Sequence, residues 1–209
     1  MTFAEKLAAF AELAVKIGVN VQPGQYLLIN TTTDTLEFTR EVVKKAYEAG
    51  AGRVHVNLTD AVFERAFFEN TTVEELEKFP KWIVAQREEL IERNGALLWI
   101  DAADPDLLAG IDVKKISTHQ KVSGAALVNY RKAVMNDDIA WSIIAVPSAK
   151  WAAKVFPHLP ENEQVDALWN AIFMATVLSA GIGTICMAFL ANTPFVMAPG
   201  MGLNNFFAV

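Results

Sequence analysis

Four short runs of apolar residues recur along the chain, and each is bounded by residues that favour turns. A continuous apolar run of this length is typical of a strand that is buried on both faces, as in a parallel sheet. Segments with helical spacing of apolar residues separate the runs, which favours strand–helix–strand units. The sequence therefore predicts an α/β fold with a parallel sheet of about four strands and flanking helices. The predicted strands cover residues 26–30, 53–57, 96–100 and 139–146.

Several predicted helices begin at residues that commonly cap a helix. A Thr or Asp followed three residues later by Glu is the pattern of a capping box, and proline is tolerated in the first turn of a helix. These patterns occur at Thr2 with Glu5, at Asp34 with Glu37, and at Asp104 followed by Pro105. A long polar helix is also predicted from Asp112 to about Met135.

The carboxyl-terminal part of the chain differs from the rest in charge. Asp166 is the last charged residue, and residues 167–209 contain no Lys, Arg, Asp, Glu or His. Within that segment, residues 173–191 form a run of 19 residues without a charge, an amide or a proline. A helix of about 20 apolar residues is long enough to cross a bilayer. We therefore expect an α/β domain over residues 1–170 and an apolar, membrane-like helical tail over residues 171–209. The alternative is that the tail is buried against the domain.

Net charge and cysteine content narrow the classes of function. The formal net charge of −6 argues against nucleic-acid binding, which needs an excess of Lys and Arg. The single cysteine, Cys186, cannot form an internal disulfide, so a reducing compartment is expected. Charged residues near the amino terminus interrupt any signal-peptide core. The expected location of the domain is cytoplasmic, with membrane association through residues 173–191 left open.

Polar residues lie at the carboxyl ends of all four predicted strands, namely residues 30–34, residues 57–60, Asp101 with Asp104, and Ser148. Thr31, Thr32, Thr33 and Asp34 come after the first strand, and Asp101 comes after the third. Ligands of parallel sheets bind at the carboxyl ends of the strands, so these five residues form the candidate ligand site. Backbone N–H groups at a helix start after the threonines would favour an anion. The simpler alternative is that these side chains only cap helices.

The common catalytic motifs are missing from the sequence. No dinucleotide-binding or phosphate-binding glycine motif follows a strand, and there is no G-x-S-x-G segment. The three histidines, His55, His119 and His158, are widely separated, and none belongs to a close pair of metal ligands. The residues by themselves therefore predict no catalytic, cofactor-binding or metal-binding position.

Five segments, taken in order, resemble the metallo-aminopeptidase family that includes aminopeptidase T and aminopeptidase S. No single segment is a catalytic signature, but their order and spacing extend over about 170 residues of this chain. The segments are residues 14–25 (AVKIGVNVQPGQ), 40–52 (REVVKKAYEAGAG), 100–108 (IDAADPDLL), 151–157 (WAAKVFP) and 163–169 (EQVDALW).

This resemblance implies a cytoplasmic, dimeric exopeptidase that removes amino-terminal residues from peptide substrates with a pair of divalent metal ions, zinc or cobalt. In that family the metal ligands lie in a carboxyl-terminal half that has no counterpart here, so no catalytic residue is assigned. The resemblance therefore implies a truncated amino-terminal domain that is inactive by itself and that pairs as a homodimer.

The tail resembles a different family. Residues 174–207 look like the second and third membrane segments of nucleobase permeases of the guanine/hypoxanthine/adenine type, and the match is carried by residues 191–195 (ANTPF) and 198–204 (APGMGLN). This places a junction between Trp169 and Met174. Two other functions stay open: a membrane-associated fragment related to such a permease, and a stand-alone α/β module for dimerisation or ligand binding.

Overall fold

The computed structural model describes residues 2–102 and 104–190. Four strands and nine helices lie in these two ranges. The strands are β1 (Tyr26–Thr32), β2 (Arg53–Thr59), β3 (Ala96–Asp101) and β4 (Ala140–Ala145). The helices are α1 (Phe3–Leu13), α2 (Leu36–Glu48), α3 (Ala61–Asn70), α4 (Val73–Leu76), α5 (Lys81–Glu92), α6 (Val113–Ala126), α7 (Val128–Met135), α8 (Ala149–Val155) and α9 (Glu161–Leu190). A π-helical turn (Ala14–Gly18) extends α1, and a 3-10 turn (Thr33–Thr35) precedes α2.

The four strands form one parallel sheet in the order β2-β1-β3-β4. This confirms the prediction of a four-stranded parallel sheet with flanking helices. Strand β1 has the most buried side chains, and Leu27, Leu28 and Ile29 have no exposed surface. An apolar run without alternation is thus explained by a strand that is covered on both faces.

Helices cover both faces of the sheet, and alternate residues of β1 contribute to two different cores. Leu27 and Ile29 belong to the larger core, which α1, α2 and α9 complete. Leu28 points to the other face, where it packs with Leu90 of α5 and Tyr130 of α7. The period of two along a strand decides which core each side chain enters.

The order of the strands creates a switch in direction at β1 and β3. From β1 the chain passes to β2 on one side, and it then returns to β3 on the other side and continues to β4. Connections that leave two neighbouring strands in opposite directions open a crevice at the carboxyl ends of those strands. In this fold the crevice lies where Thr32 and Asp101 end β1 and β3.

One of the two predicted capping boxes is present. The Thr2 side chain accepts a hydrogen bond from the backbone N–H of Glu5, and the Thr2 N–H donates to the Glu5 carboxylate at 2.7 Å. The box predicted at Asp34 and Glu37 is wrong, because α2 starts after Thr35 and no side chain caps it. The Thr35 hydroxyl instead donates to the carbonyl of Thr32 at 3.0 Å.

Two further helix predictions need correction. Asp104 does not begin a helix, because residues 105–110 form turns, and its carboxylate accepts from the backbone N–H of Asp106 at 3.0 Å. The helix predicted from Asp112 to Met135 is two helices, α6 and α7, with Leu127 between them at φ −104° and ψ 26°. This break lets α7 bury Tyr130, whereas α6 has no buried residue.

Helix α9 is continuous across the junction that the sequence predicts between Trp169 and Met174. Trp169 and Phe173 stack with a ring distance of 5.1 Å, and both rings make edge contacts with Phe10 of α1. Among the residues that the structure describes, no helix combines the length and the apolar character needed to cross a membrane. Residues 191–209 of the predicted membrane-like tail lie outside the described residues.

Two turns approach each other closely at the amino-terminal ends of β1 and β2. Gly52 donates its N–H to the carbonyl of Gln25 at 2.9 Å, and Gly24 donates to Gly50 at 2.8 Å. A Cβ atom on Gly52 would collide with the backbone carbonyl of Gly24. Backbone atoms cannot turn away as a flexible side chain can, so this position requires glycine.

We expect Gly52→Ala to lower the free energy of unfolding by about 1–3 kcal/mol, the usual cost of overpacking. Urea denaturation followed by circular dichroism measures the change. Gly124→Ala is the control, because its new methyl group meets only the end of the Arg131 side chain, at 3.2 Å, inside a helix that favours alanine. Equal stabilities for Gly52→Ala and the unchanged protein would contradict the close approach.

Candidate functional site

A groove of about 540 Å³ lies at the carboxyl ends of β1, β2 and β3, on the face that α5 covers. We call it the switch-point groove, since it opens between β1 and β3. Strand register places Asn57, Asn30 and Trp99 in one row across the sheet. Thr59 and Thr32 form the next row on the same face of the sheet. The lining residues are Asn30, Thr31, Thr32, Val56, Asn57, Leu58, Thr59, Glu64, Trp82, Ile83, Gln86, Arg87, Trp99, Ile100 and Asp101.

A network of polar side chains forms one wall of the groove. The Asn30 Oδ1 atom accepts from Asn57 Nδ2 at 3.0 Å and from Arg87 Nη2 at 3.1 Å. Asn57 and Gln86 exchange two hydrogen bonds, of 2.8 and 3.0 Å. Because a guanidinium only donates, Asn30 must turn its oxygen toward Arg87, and Asn57 must then turn its nitrogen toward Asn30. Arg87 thus fixes the orientation of all three amides.

The same network leaves several donors without acceptors. Within the described residues, Asn30 Nδ2, Arg87 Nε and Nη1, and the Thr32 hydroxyl are buried atoms that have no hydrogen-bond partner. Asn30 as a whole is only 6% exposed. A buried donor without a partner costs roughly 1–3 kcal/mol, so native structures rarely retain several in one place without a reason.

Arg87 is the single cation among the described residues that line the groove. Its guanidinium lies 5.2 Å from the centre of the Tyr130 ring, a cation–π contact. Burial lowers the pKa of Arg87 below its ordinary value, and burial likewise raises the pKa of Tyr130. The ordinary pKa of arginine is so high that the guanidinium keeps its charge at neutral pH.

The structure separates the five residues that the sequence proposed as a ligand site. Thr32 and Asp101 line the groove. Thr31 borders it, but its hydroxyl lies on the α2 side, where it contacts the hydroxyls of Thr35 and Thr39. The five proposed residues therefore do not form one site.

The other two proposed residues lie outside the groove. The Thr33 hydroxyl donates to Asp60 at 2.8 Å, a hydrogen bond that lowers the pKa of that carboxyl group. Asp34 is exposed, and its side chain caps no helix. Binding of an anion by the backbone at this turn stays a prediction.

The sequence alone did not indicate Gln86 and Arg87 of the groove. Asn30 and Asn57 are among the polar residues at the carboxyl ends of the predicted strands, but the sequence did not single them out as ligand-site candidates. A signal for Arg87 was present, because Ile83, Arg87 and Leu90 recur at spacings of four and three on one face of α5. An arginine on the buried face of a helix indicates a site or an internal ion pair.

The described residues do not fit a divalent metal ion. They contain no group of three or more His, Cys, Asp or Glu side chains that could hold one. His119 lies among the rings of Phe67, Phe68 and Phe79. The Nε2 atom of His55 is 3.2 Å from Oδ1 of Asn57. The groove has two carboxylates, those of Glu64 and Asp101, but it also holds the Arg87 guanidinium, which would repel a divalent cation.

Ion pairs hold the loop after β3 at the rim of the groove. Lys150 of α8 pairs with Asp104 at 2.7 Å, and Lys154 pairs with Asp106. Arg65 of α3 donates to the carbonyl of Leu107 at 2.9 Å. The loop is thus tied to helices on both sides.

Comparison with known proteins gives a family match over most of the chain. The sequence matches the family described as Thermophilic metalloprotease (M29) over residues 3–181. Aminopeptidase AmpS of Bacillus subtilis (strain 168) is 43% identical over 175 residues, which are 84% of this chain and 43% of that protein. The structure titled wild-type AmpT from Thermus thermophilus has a TM-score of 0.79 and 31% identity, and the match covers 88% of this chain and 46% of that one. The chain therefore spans less than half the length of these relatives.

A second match is short. Adenine permease AdeQ of Escherichia coli (strain K12) is 57% identical over 54 residues, which are 26% of this chain and 12% of the permease. The M29 match confirms the resemblance to the aminopeptidase T and S family, whereas the permease match is a likeness of one segment.

We expect Asp104→Asn to destabilise the protein at pH 7 by less than about 1 kcal/mol, the range of exposed ion pairs. The hydrogen bond from Lys150 lowers the pKa of Asp104 below its ordinary value of about 3.9. A carboxyl group whose pKa is lowered by folding stabilises the protein above its unfolded pKa, and this contribution is lost as pH falls through the lowered pKa. The difference between variant and unchanged protein should therefore shrink below about pH 3.9.

Urea denaturation at pH 7 and at pH 2–3 measures this difference. A Lys150→Met background is the control, since Asp104→Asn should have a smaller effect at pH 7 once the partner is gone. An effect that is independent of pH and of Lys150 would contradict the ion pair.

Proposed function

The chain belongs to the thermophilic metalloprotease family M29, and from this premise we propose that it supplies the amino-terminal α/β domain of a metal-dependent aminopeptidase. The observation that carries the proposal is the match to this family over residues 3–181, together with 43% identity to AmpS. The proposed activity is the removal of amino-terminal residues from peptides.

The proposed role of this domain is to scaffold the enzyme and contact its substrate. Divalent metal ions in such enzymes supply an activated water and polarise the scissile carbonyl group. Because the described residues do not fit a metal ion, the proposal assigns them no hydrolytic step. It places the ligands of two zinc or cobalt ions on a part of the enzyme that corresponds to the remainder of AmpS, of which this chain covers 43%. Pairing of two copies stays a prediction.

We also propose that the segment after residue 170 is related to nucleobase permeases. The short match to AdeQ and the uncharged sequence support this origin. The match covers 12% of AdeQ, so the proposal does not include transport. Phe173 packs on Phe10 of the α/β domain, which supports burial of the start of this segment against the domain.

The 209-residue chain is expected not to hydrolyse leucine p-nitroanilide with added zinc or cobalt, because its described residues form no metal site. Release of p-nitroaniline measures the activity, and AmpS under the same conditions is the positive control. Turnover that follows the protein through purification and that a chelator abolishes would contradict the proposed inactivity.

A chimera tests the family role directly. Replacing the matching amino-terminal region of AmpS by residues 1–175 of this chain should retain metal-dependent hydrolysis within about tenfold of AmpS, a change of about 1.4 kcal/mol in the activation free energy. The expectation follows from 43% identity over this region. Circular dichroism and gel filtration check that the chimera folds. A folded chimera without activity would contradict the proposed role of the domain.

A further inference from the structure

We propose that the switch-point groove binds a free amino acid or a short peptide, whose carboxylate is held by Arg87 and Asn30. The inference rests on the proposed function only in the choice of peptide-derived ligands. The binding site itself follows from the side chains of the groove, and no metal ion takes part in it.

The unpartnered donors of the groove call for a ligand that accepts hydrogen bonds. Arg87 carries two buried nitrogens, Nε and Nη1, that have no acceptor among the described residues, and Asn30 Nδ2 is a third donor of this kind. Nε and Nη1 each form a two-donor fork with Nη2, which has a second hydrogen besides the one it donates to Asn30, and such a fork matches the two oxygens of a carboxylate. Both side chains line the groove, but these nitrogens are covered, so a ligand reaches them only after the side chains rotate.

The orientation of Asn30 supports this assignment. Its oxygen already accepts from Asn57 and Arg87, so the nitrogen is the atom left for a ligand. Asn30 is 6% exposed, and its strand pairs with β2 on one side and with β3 on the other. The backbone that carries this donor is therefore held in place, which limits the entropy lost on binding to that of the side chains.

The other charges of the groove favour a zwitterion over a simple anion. The carboxylates of Glu64 and Asp101 line the same groove as Arg87. They repel a multiply charged anion such as phosphate, whereas they attract an ammonium group. An amino acid or a short peptide carries both charges that this arrangement complements.

Two tryptophans supply an apolar surface for the ligand's side chain. Trp82 is 67% exposed and Trp99 is 42% exposed, although residues of this size are usually well covered. Both line the groove, whose volume of about 540 Å³ falls within the usual range of small-molecule sites. The position between β1 and β3 is also where open parallel sheets bind their ligands.

Titration calorimetry of the 209-residue chain in a chelator tests the proposal. The ligands are leucine, leucyl-glycine, leucinamide, N-acetyl-leucine and inorganic phosphate. Leucine and leucyl-glycine should bind. Leucinamide, which lacks the carboxylate, should bind at least about tenfold more weakly, the loss expected for a charge-assisted hydrogen bond. N-acetyl-leucine should also be weaker, because it has no ammonium group.

Variants on one helix separate the groove from its surroundings. Arg87→Gln should weaken leucine binding at least about tenfold. Arg93→Gln is the matched control, because Arg93 lies on the end of the same helix with its guanidinium 4.7 Å from the Tyr26 ring but does not line the groove. Its affinity for leucine should equal that of the unchanged protein.

Asn30→Asp provides a second test that does not remove the arginine. It places a carboxylate beside Arg87, where it should stabilise the fold and repel the carboxylate of leucine. Binding should be lost while the melting temperature stays the same or rises. Circular dichroism of all variants excludes loss of binding through unfolding.

Three results would overturn the proposal: no heat with leucine or leucyl-glycine, equal affinities for leucine and leucinamide, or unchanged binding by folded Arg87→Gln. If phosphate binds as tightly as leucine, the groove is a simple anion site and not a site for a zwitterion. These measurements need no metal and no turnover. Failure of the chimera to hydrolyse substrate is therefore independent of their outcome.

Discussion

Burial of β1 on both faces is the constraint on which the rest of the structure depends. Its backbone bonds to β2 on one side and to β3 on the other, and its side chains enter two cores. The three residues Leu27, Leu28 and Ile29 are completely covered. A strand in this central position must end where the chain reverses direction in the sheet, and its last residues therefore border the crevice at the switch point.

The polar end of β1 lowers the stability of the fold, whereas the apolar part of the same strand raises it. Asn30 continues the same alternation that buries Leu28, so an amide enters the face where α5 and α7 pack. Arg87 donates a hydrogen bond to the oxygen of this amide. The nitrogen of Asn30 and two nitrogens of Arg87 nevertheless stay without hydrogen-bond partners among the described residues. Buried donors without partners cost stability, and a ligand that accepts these hydrogen bonds would recover it.

Helix α9 contains both the end of the M29 match and the junction that the sequence predicts. The M29 match extends to residue 181, and α9 runs from Glu161 to Leu190 without interruption. Trp169 and Phe173 both lie in the interval from Trp169 to Met174 where the sequence predicts the junction. Their rings stack on each other, and both make edge contacts with Phe10. Because residues four apart lie on the same face of a helix, these two aromatic residues contribute to one core.

The sequence by itself determined the class of fold, because the local spacing of apolar residues shows which faces of each strand and helix are buried. It also determined the family, from five ordered segments. It placed Thr32, Asn57 and Asp101 near strand ends, but it could not find Arg87 and Gln86, which lie 57 and 56 positions from Asn30. Only the tertiary structure decided that these side chains share one groove, because strand order and register bring together residues that no local pattern connects. The same reason explains the wrong cap at Asp34: a cap depends on where the helix begins, and packing against the sheet set that point at Leu36.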